Sequence, residues 1–354
     1  MDHISEYRDV VTARIRAAVD EGAARFTLPG DAEHMVEFIA PARSLLDGGK
    51  RTRAMLVAAG WRAVTHDPLP VHAGAAVELY QVSALVHDDL IDESPTRRGV
   101  AAAHKAFEES HVAENYSGKA AAYGEKSSVL LGDYLLSLAA VEIELAEYRD
   151  FESGARGRRF FHEMTAETAF GQFLDTRAEF VPLNDDGDAA LADALAVVRH
   201  KSARYSVEVP LMLGAALAGA DDDMLAKLSA IGQPLGEAFQ LRDDELGIFG
   251  NPDVTGKPAG GDIAEGKRTA LHALTRSLNT GADLDLVDDV HGRELSAAEI
   301  AEVRRLVVDS GAYLAHEAMI FERENAAREA LRSANLLDST ILDSVMERLS
   351  ARRS

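Results

Sequence analysis

Apolar side chains recur along most of this chain at the three-to-four-residue spacing that gives a helix one buried face. Ile4, Val10, Val11, Ile15 and Val19 mark such a face over residues 4 to 25, and Pro29, Gly30 and Asp31 close it. A second helical segment runs on to Gly48 and Gly49, which interrupt it, and another starts at Lys50. Residues 71 to 92 form a further helix. Residues 100 to 125 are polar and Gly-bearing, with a loop among them able to cover a site, and SSVLLGDYLLSLAAVEIELAEY reads as a long buried helix in which Gly132 lets a neighbour approach. Helices follow over residues 159 to 181, through Lys201 and Ser202 into VPLMLGAALAGA, and over 221 to 250. The Gly- and Pro-rich NPDVTGKPAGGDIAEGKRT is a loop, and the helical pattern returns from 268, broken by a polar stretch near 279 to 296. The expected fold is all-α, a single large helical domain over residues 1–354 with residues 1–30 as an N-terminal helical extension.

The helix of residues 71 to 92 ends in HDDLIDESPTRRG, from His87 to Gly99. Asp88, Asp89 and Asp92 fall within about one turn, and Asp88 and Asp92 share a face at i, i+4 spacing. Val82, Ala84, Leu85, Val86, Leu90 and Ile91 place this charge at a largely buried helix end, where it is costly unless a cation relieves it. Arg97 and Arg98 follow, forked donors suited to phosphate. A second acidic group, Asp243, Asp244 and Glu245, again lies late in a helix, and the loop after it carries Lys257, Lys267 and Arg268, placed to close over phosphate. Lys50, Arg51 and Arg53 stand where a helix restarts, and a helix N-terminus draws anions. Gln172 and Asp175 share a face and read equally as a satisfied core pair. Lys201, ahead of an apolar run, reads as snorkelling to solvent unless it faces a ligand.

Composition narrows the field. Scarce Pro (10 residues) and a 6% aromatic share favour helix over sheet. A net charge of −22 argues against a general nucleic-acid footprint, so the basic residues act locally. The absence of Cys excludes disulfides and thiolate metal sites. No apolar run reaches the length of a membrane span, and the acidic start MDHISEYRDVV does not read as an export signal. The expected location is the cytoplasm.

Carboxylates that offer only a few oxygens suit Mg²⁺ or Mn²⁺, with phosphate and water completing the shell. Two acidic clusters on facing helices would grip one diphosphate through several ions, and apolar helices around them would hold a hydrocarbon chain. Neutralising a leaving diphosphate promotes ionisation of an allylic C–O bond. Lys50, Arg53 and Arg98 would hold a second diphosphate beside the resulting cation.

From about residue 40 to at least 315 the chain resembles the trans-isoprenyl diphosphate synthases of the polyprenyl synthetase family, most like the bacterial geranylgeranyl diphosphate synthases. The motifs that carry the resemblance come in order: GGKRTR at 48–53, DDLIDESPTRRG at 88–99, KS at 201–202, and FQLRDDELG through GKP and GKRT at 239–269. The resemblance implies an all-helical fold around a deep cavity, a homodimer, and Mg²⁺-dependent condensation of isopentenyl diphosphate with an allylic diphosphate. It implies three Mg²⁺ ions with substrate bound, Mn²⁺ being the alternative ion. By motif, Asp88, Asp92 and Asp243 would hold metal, supported by Asp89 and Asp244. Arg97, Lys201, Gln240, Lys257 and Lys267 would contact the allylic diphosphate, and Lys50, Arg53 and Arg98 would bind isopentenyl diphosphate. Gln81 stands where many relatives have His, and Ser202 where Thr is more usual; both keep a hydrogen-bonding group. Gly247 stands where the second motif usually ends in Asp, which removes a carboxylate i+4 from Asp243. Product length is set in this family just ahead of the first acidic motif. There Ser83 and Ala84 are small and Tyr80 is the expected stop, which favours a geranylgeranyl product. Three rivals are a class I terpene cyclase, a metal phosphohydrolase using His87 with Asp88, and a non-catalytic partner subunit suggested by Gly247.

Overall fold

A computed structural model describes residues 2–250, 261–290, 292–293 and 295–351, apart from the side chains of Asp2 and His3. The chain divides into two compact units. Unit 1 comprises Met1–His162, Pro210–Leu225 and Leu336–Val345; unit 2 comprises Glu163–Val209, Ala226–Asn335 and Met346–Ser354. Apart from one small hairpin, the regular structure of the described residues is helical.

Unit 1 is organised on α4, Val71–Ile91, which starts after Pro70 and buries the continuous run Ala73 to Ser83. A helix buried on every face needs neighbours all round it. These include α1 (Asp2–Phe26), α2 (Ala32–Leu46), α3 (Thr52–Arg62), α5 (Ala103–Ala113) and α6 (Ala120–Glu144). The N-terminal helix is integral to this packing, since Val11, Ile15 and Val19 are fully buried. Within the polar stretch of residues 100 to 125, helix α5 precedes a short irregular segment at 114–119, and Phe107, His104 and His111 give it a buried face that its polar composition conceals. Gly60 on α3 and Gly214 on α9 (Val209–Leu217) let two backbones touch. A Cβ at Gly60 would lie 1.8 Å from the Leu211 carbonyl oxygen, and one at Gly214 would lie 1.9 Å from that of Val57.

Unit 2 holds the later part of α7 (Phe151–Phe180), α8 (Gly187–Val197), most of α10 (Asp222–Phe249) and the helices that follow it as far as Ala334. Between α8 and α9 the chain is wound as a π-helix over Val198–Glu208, a form rarely sustained and one that a 3.6-residue pattern does not reveal. One core cluster joins Ala194, Val198, Ala238, Leu241, Ala270 and Ile320. Another joins Ile248, Ile263, Leu271, Val290, Val303, Val307 and Ala312. Val290 ends a helix, Ala282–Val290, inside the polar stretch that breaks the helical pattern of the sequence. Among the described residues no helix is long and apolar enough to cross a membrane.

Candidate active site

In unit 1, α4 closes at Asp92, whose N–H donates to the Asp88 carbonyl at 2.8 Å. Thr96–Arg97 (β1) and Val100–Ala101 (β2) then pair antiparallel, with Arg98 and Gly99 as a two-residue turn at φ 54° and 79°. Both central residues have positive φ, as a hairpin turn matched to strand twist requires. Neighbouring strand side chains point apart, so the two arginines separate. Arg97 returns to α4, donating from Nε to Asp89 Oδ1 at 2.7 Å and from Nη2 to Asp88 Oδ2 at 3.1 Å. Arg98 instead donates from Nη1 to the carbonyls of Leu45 at 2.8 Å and Gly48 at 3.1 Å.

This geometry gives the first acidic motif its own counter-ion. Burial works against the Arg97 charge, but the hydrogen bond and charge of Asp89, with Asp88 and Asp92, hold the guanidinium above its usual pKa. Asp89 is fully buried while Asp88 and Asp92 remain half-buried. Around Arg98 the opposite charge collects. Burial and the guanidiniums of Arg51, Arg53 and Arg97 lower its pKa against the pull of Glu78. Lys50 is exposed and Arg53 half-buried on the same segment.

Arg51 is set apart from this basic group. It is 3% exposed, lies 3.6 Å from Glu78, and donates to Thr12 Oγ1 at 3.0 Å and to the Gly48 carbonyl at 2.9 Å. It therefore anchors the GGKRTR turn. His87 likewise leaves the metal-ligand role of the phosphohydrolase reading. Its ring fills the space beside Gly132, where a Cβ would lie 2.0 Å from Nε2, and that nitrogen is 3.2 Å from the Val129 carbonyl. Asp88, one residue on, meets Arg97.

Deeper along α4, Gln81 and Tyr80 are buried, and Tyr80 stands edge-on to Phe161 at 6.2 Å between centroids. Ser83 is turned to α6, its hydroxyl donating to the Gly132 carbonyl at 2.8 Å. Ala84 is half-buried. Phe161, absent from the sequence reading, thus joins Tyr80; no short motif links residues 81 positions apart.

In unit 2, Asp243 is half-buried and Asp244 buried. Asp244 accepts from Gln240 Nε2 at 2.8 Å, yet its pKa is raised well above the carboxylate range, by burial first and then by the charge of Asp262, with Asp243 and Asp175 adding to it. Glu245 leaves the acidic group. It pairs with Arg242 at 2.6 Å, and Arg242 also binds Glu317. Burial first, then a proton shared with Glu317, pushes Glu245 up to about 7. On the π-helical stretch, Lys201 donates to Asp175 Oδ2, while Ser202 is half-buried. Asp175 thus takes a lysine rather than Gln172. Lys267 lies 2.7 Å from Glu265. Lys257 lies outside the described residues.

The donors in these clusters are hard carboxylates. Among the described residues no three His, Asp or Glu side chains close round a cation by themselves. Such a donor set fits a metal that takes one or two carboxylates and completes its shell from phosphate and water, as Mg²⁺ does.

Comparison with known proteins agrees with this chemistry. Residues 36–307 match the polyprenyl synthetase family model. The (2E,6E)-farnesyl diphosphate synthase of Mycobacterium tuberculosis is 33% identical over 268 residues, covering 74% of this chain and 68% of that protein. The geranylgeranyl diphosphate synthase of the same organism is 32% identical over 291 residues, covering 81% and 75%. The crystal structure of geranylgeranyl pyrophosphate synthase from Corynebacterium glutamicum, complexed with isoprenyl diphosphate and magnesium, superposes with a TM-score of 0.88 at 32% identity, covering 98% of this chain and 99% of that one. The chain belongs to the polyprenyl synthetase family, the trans-prenyltransferases that make prenyl diphosphates.

Proposed function

We propose that this chain is a Mg²⁺-dependent synthase that condenses isopentenyl diphosphate with an allylic diphosphate, head to tail, to give geranylgeranyl diphosphate. The observation that carries this reading is the β1–β2 hairpin, which sends Arg97 to an acidic cluster and Arg98 to a basic loop. A terpene cyclase needs only the first of these. Asp88 and Asp92 in unit 1 and Asp243 in unit 2 hold Mg²⁺, with Asp89 and Asp244 supporting. When bound, the metal neutralises the departing diphosphate. Arg97, Lys201, Gln240, Lys257 and Lys267 bind the allylic diphosphate, with Gln81 and Ser202 as further hydrogen-bonding groups. Lys50, Arg53 and Arg98 orient the second diphosphate, so that the new bond forms within one complex rather than by collision. Arg97 exchanges part of its hold on Asp88 for phosphate. The enzyme works as a cytoplasmic homodimer, and Tyr80 against Phe161 stops the growing chain.

The test is a product assay of the purified chain with Mg²⁺, isopentenyl diphosphate and allylic primers of increasing length. The expected result is a C20 diphosphate that disappears with EDTA, and a longer product from Tyr80→Ala. Hydrocarbon release from allylic diphosphate alone would establish a cyclase, and inactivity of the folded chain would favour a partner subunit.

A further inference from the structure

Within unit 2, the π-helical stretch Val198–Glu208 meets a face of α7 and a face of α10. An i→i+5 bond encloses one residue more than an α turn, so the backbone is wider, and such winding is rare. The neighbouring helices make room for it. A Cβ at Gly171 on α7 would lie 2.2 Å from the Lys201 backbone nitrogen; on α10, one at Gly236 would lie 2.5 Å from the Ala203 carbonyl oxygen and one at Gly232 2.8 Å from Glu208 Cα. Glycine is a poor helix former, and none of the three has a positive φ, so the approach of the backbones accounts for them. Side chains then clasp the wide turn. Glu167, one turn before Gly171 on the same face of α7, lies through one oxygen 2.7 Å from His200 Nδ1 and through the other accepts from Arg204 Nε at 2.7 Å. Arg204 also donates to buried Glu208 at 3.1 Å, and Glu208 accepts from Ser229 Oγ on α10 at 2.7 Å. Asp175, one turn beyond Gly171, receives Lys201.

We propose that Glu167 is a positioning residue for Lys201: by gripping His200, just before the lysine, and Arg204, three residues after it, Glu167 holds the π winding that aims the ammonium group. The row Glu167, Gly171 and Asp175 along α7 then sets the lysine's flanks, backbone and side chain together. Relaxation toward α winding would turn each residue further about the axis and carry Lys201 away from Asp175. This rests on the reading that Lys201 binds the allylic diphosphate, and it gives Glu167 an effect on that substrate alone, exerted through the lysine.

The experiment is steady-state kinetics with Mg²⁺, varying farnesyl and isopentenyl diphosphates in turn, on protein shown to be folded by circular dichroism. The proteins are the wild type, Glu167→Gln, Lys201→Met and the double variant Glu167→Gln/Lys201→Met. Lys201→Met should raise KM for farnesyl diphosphate about tenfold or more, the loss of one hydrogen bond from a charged group. Glu167→Gln keeps the shape and removes the charge; it should raise the same KM about tenfold through misplacement of the lysine, and leave that for isopentenyl diphosphate within about twofold. The double variant should be no worse than Lys201→Met, because residues that act as a unit are not additive. Arg204→Lys keeps a charge beside Glu208 and loses the fork that also reaches Glu167; it should act in the same direction, and it carries the same cycle if Glu167→Gln does not fold. Wild-type KM in Glu167→Gln, an equal rise for both substrates, or losses that multiply in the double variant would overturn the inference while leaving Lys201 its role. A wild-type KM in Lys201→Met would overturn the reading of Lys201 and the inference with it.

Discussion

Buried carboxylates are managed differently in the two units. In unit 1, among the described residues, each one has a guanidinium at hand: Asp89 has Arg97, Glu142 has Arg14 at 2.7 Å, and Glu78 has Arg51. In unit 2 Glu208 is matched by Arg204, but Asp244 has an amide for a partner and faces other carboxylates. Glu245 shares one arginine with Glu317. His316 is fully buried, and neither ring nitrogen has a hydrogen-bond partner among the described residues. A buried charge with its counter-ion is already neutralised before substrate arrives. One without is stabilised only when a ligand brings the missing charge. Unit 2 should therefore respond to metal and pH in its stability more strongly than unit 1.

The largest effect expected is on catalysis, where both acidic clusters should be needed despite this difference. Asp92→Asn and Asp243→Asn should each lower kcat/KM by about 10²–10³-fold, the scale of losing one preorganised electrostatic group. Steady-state kinetics at saturating Mg²⁺ would show it, and a near-normal rate in either variant would remove that cluster from the mechanism. Next comes stability. Arg97→Met strands Asp89 in the interior and should lose about 3–5 kcal/mol in urea unfolding with EDTA present. Adding Asp89→Asn should recover much of that. If Arg97→Met proved harmless, the idea of a built-in counter-ion would be wrong.

His316 gives an acid test of unit 2. Burial, against the pull of Glu317, pushes its pKa down to about 4. The unfolded chain takes up a proton near 6.5 and the folded one does not until the pH is much lower. Stability is therefore full above about 6.5 and falls as pH drops towards 4, by about 3 kcal/mol in total at 1.36 kcal/mol per unit. His316→Met should flatten that slope in urea titrations run from pH 7 to 4. An unchanged slope would mean that other groups control the acid response.

The same contrast explains what could be read from the chain. Helix α4 and its aspartates were legible, because a residue 71 to 92 helix and an i, i+4 carboxylate pair are local patterns. The motif sets Arg97 and Arg98 side by side and only the resemblance assigns them to different diphosphates; the contacts that part them depend on a two-residue hairpin and on Leu45 and Gly48 some fifty positions away. Arg51 and Glu245 were placed with functional charge because a sequence does not reveal which charges meet Glu78 or Arg242. The π-helical winding around Lys201 left no trace in a 3.6-residue pattern. Gly247 was visible as a departure, but the Asp262 carboxylate that fills the space beside it was a tertiary fact.

The smallest effect expected is also the cleanest probe of the unmatched cluster. A carboxyl whose folded pKa is raised helps stability below its ordinary value of 3.8 and loses that contribution as pH rises. At pH 7 without metal, Asp244 is therefore a burden on unit 2. Asp244→Asn keeps the hydrogen-bonding shape toward Gln240 and removes the burden. The gain should be about 1 kcal/mol, the scale of one relieved buried polar group, or about 2–4 °C in the thermal midpoint. At pH 4 the gain should shrink, because the carboxyl of the unfolded chain then also begins to hold a proton. With Mg²⁺ and pyrophosphate present it should reverse, because the cation favours the charged form that the variant lacks. The matching substitution in unit 1, Asp89→Asn, should instead destabilise at pH 7, since it leaves Arg97 without its closest partner. If both variants shifted the midpoint in the same direction under all three conditions, the two acidic clusters would be electrostatically alike, and the division between a self-neutralised and a ligand-neutralised cluster would fail.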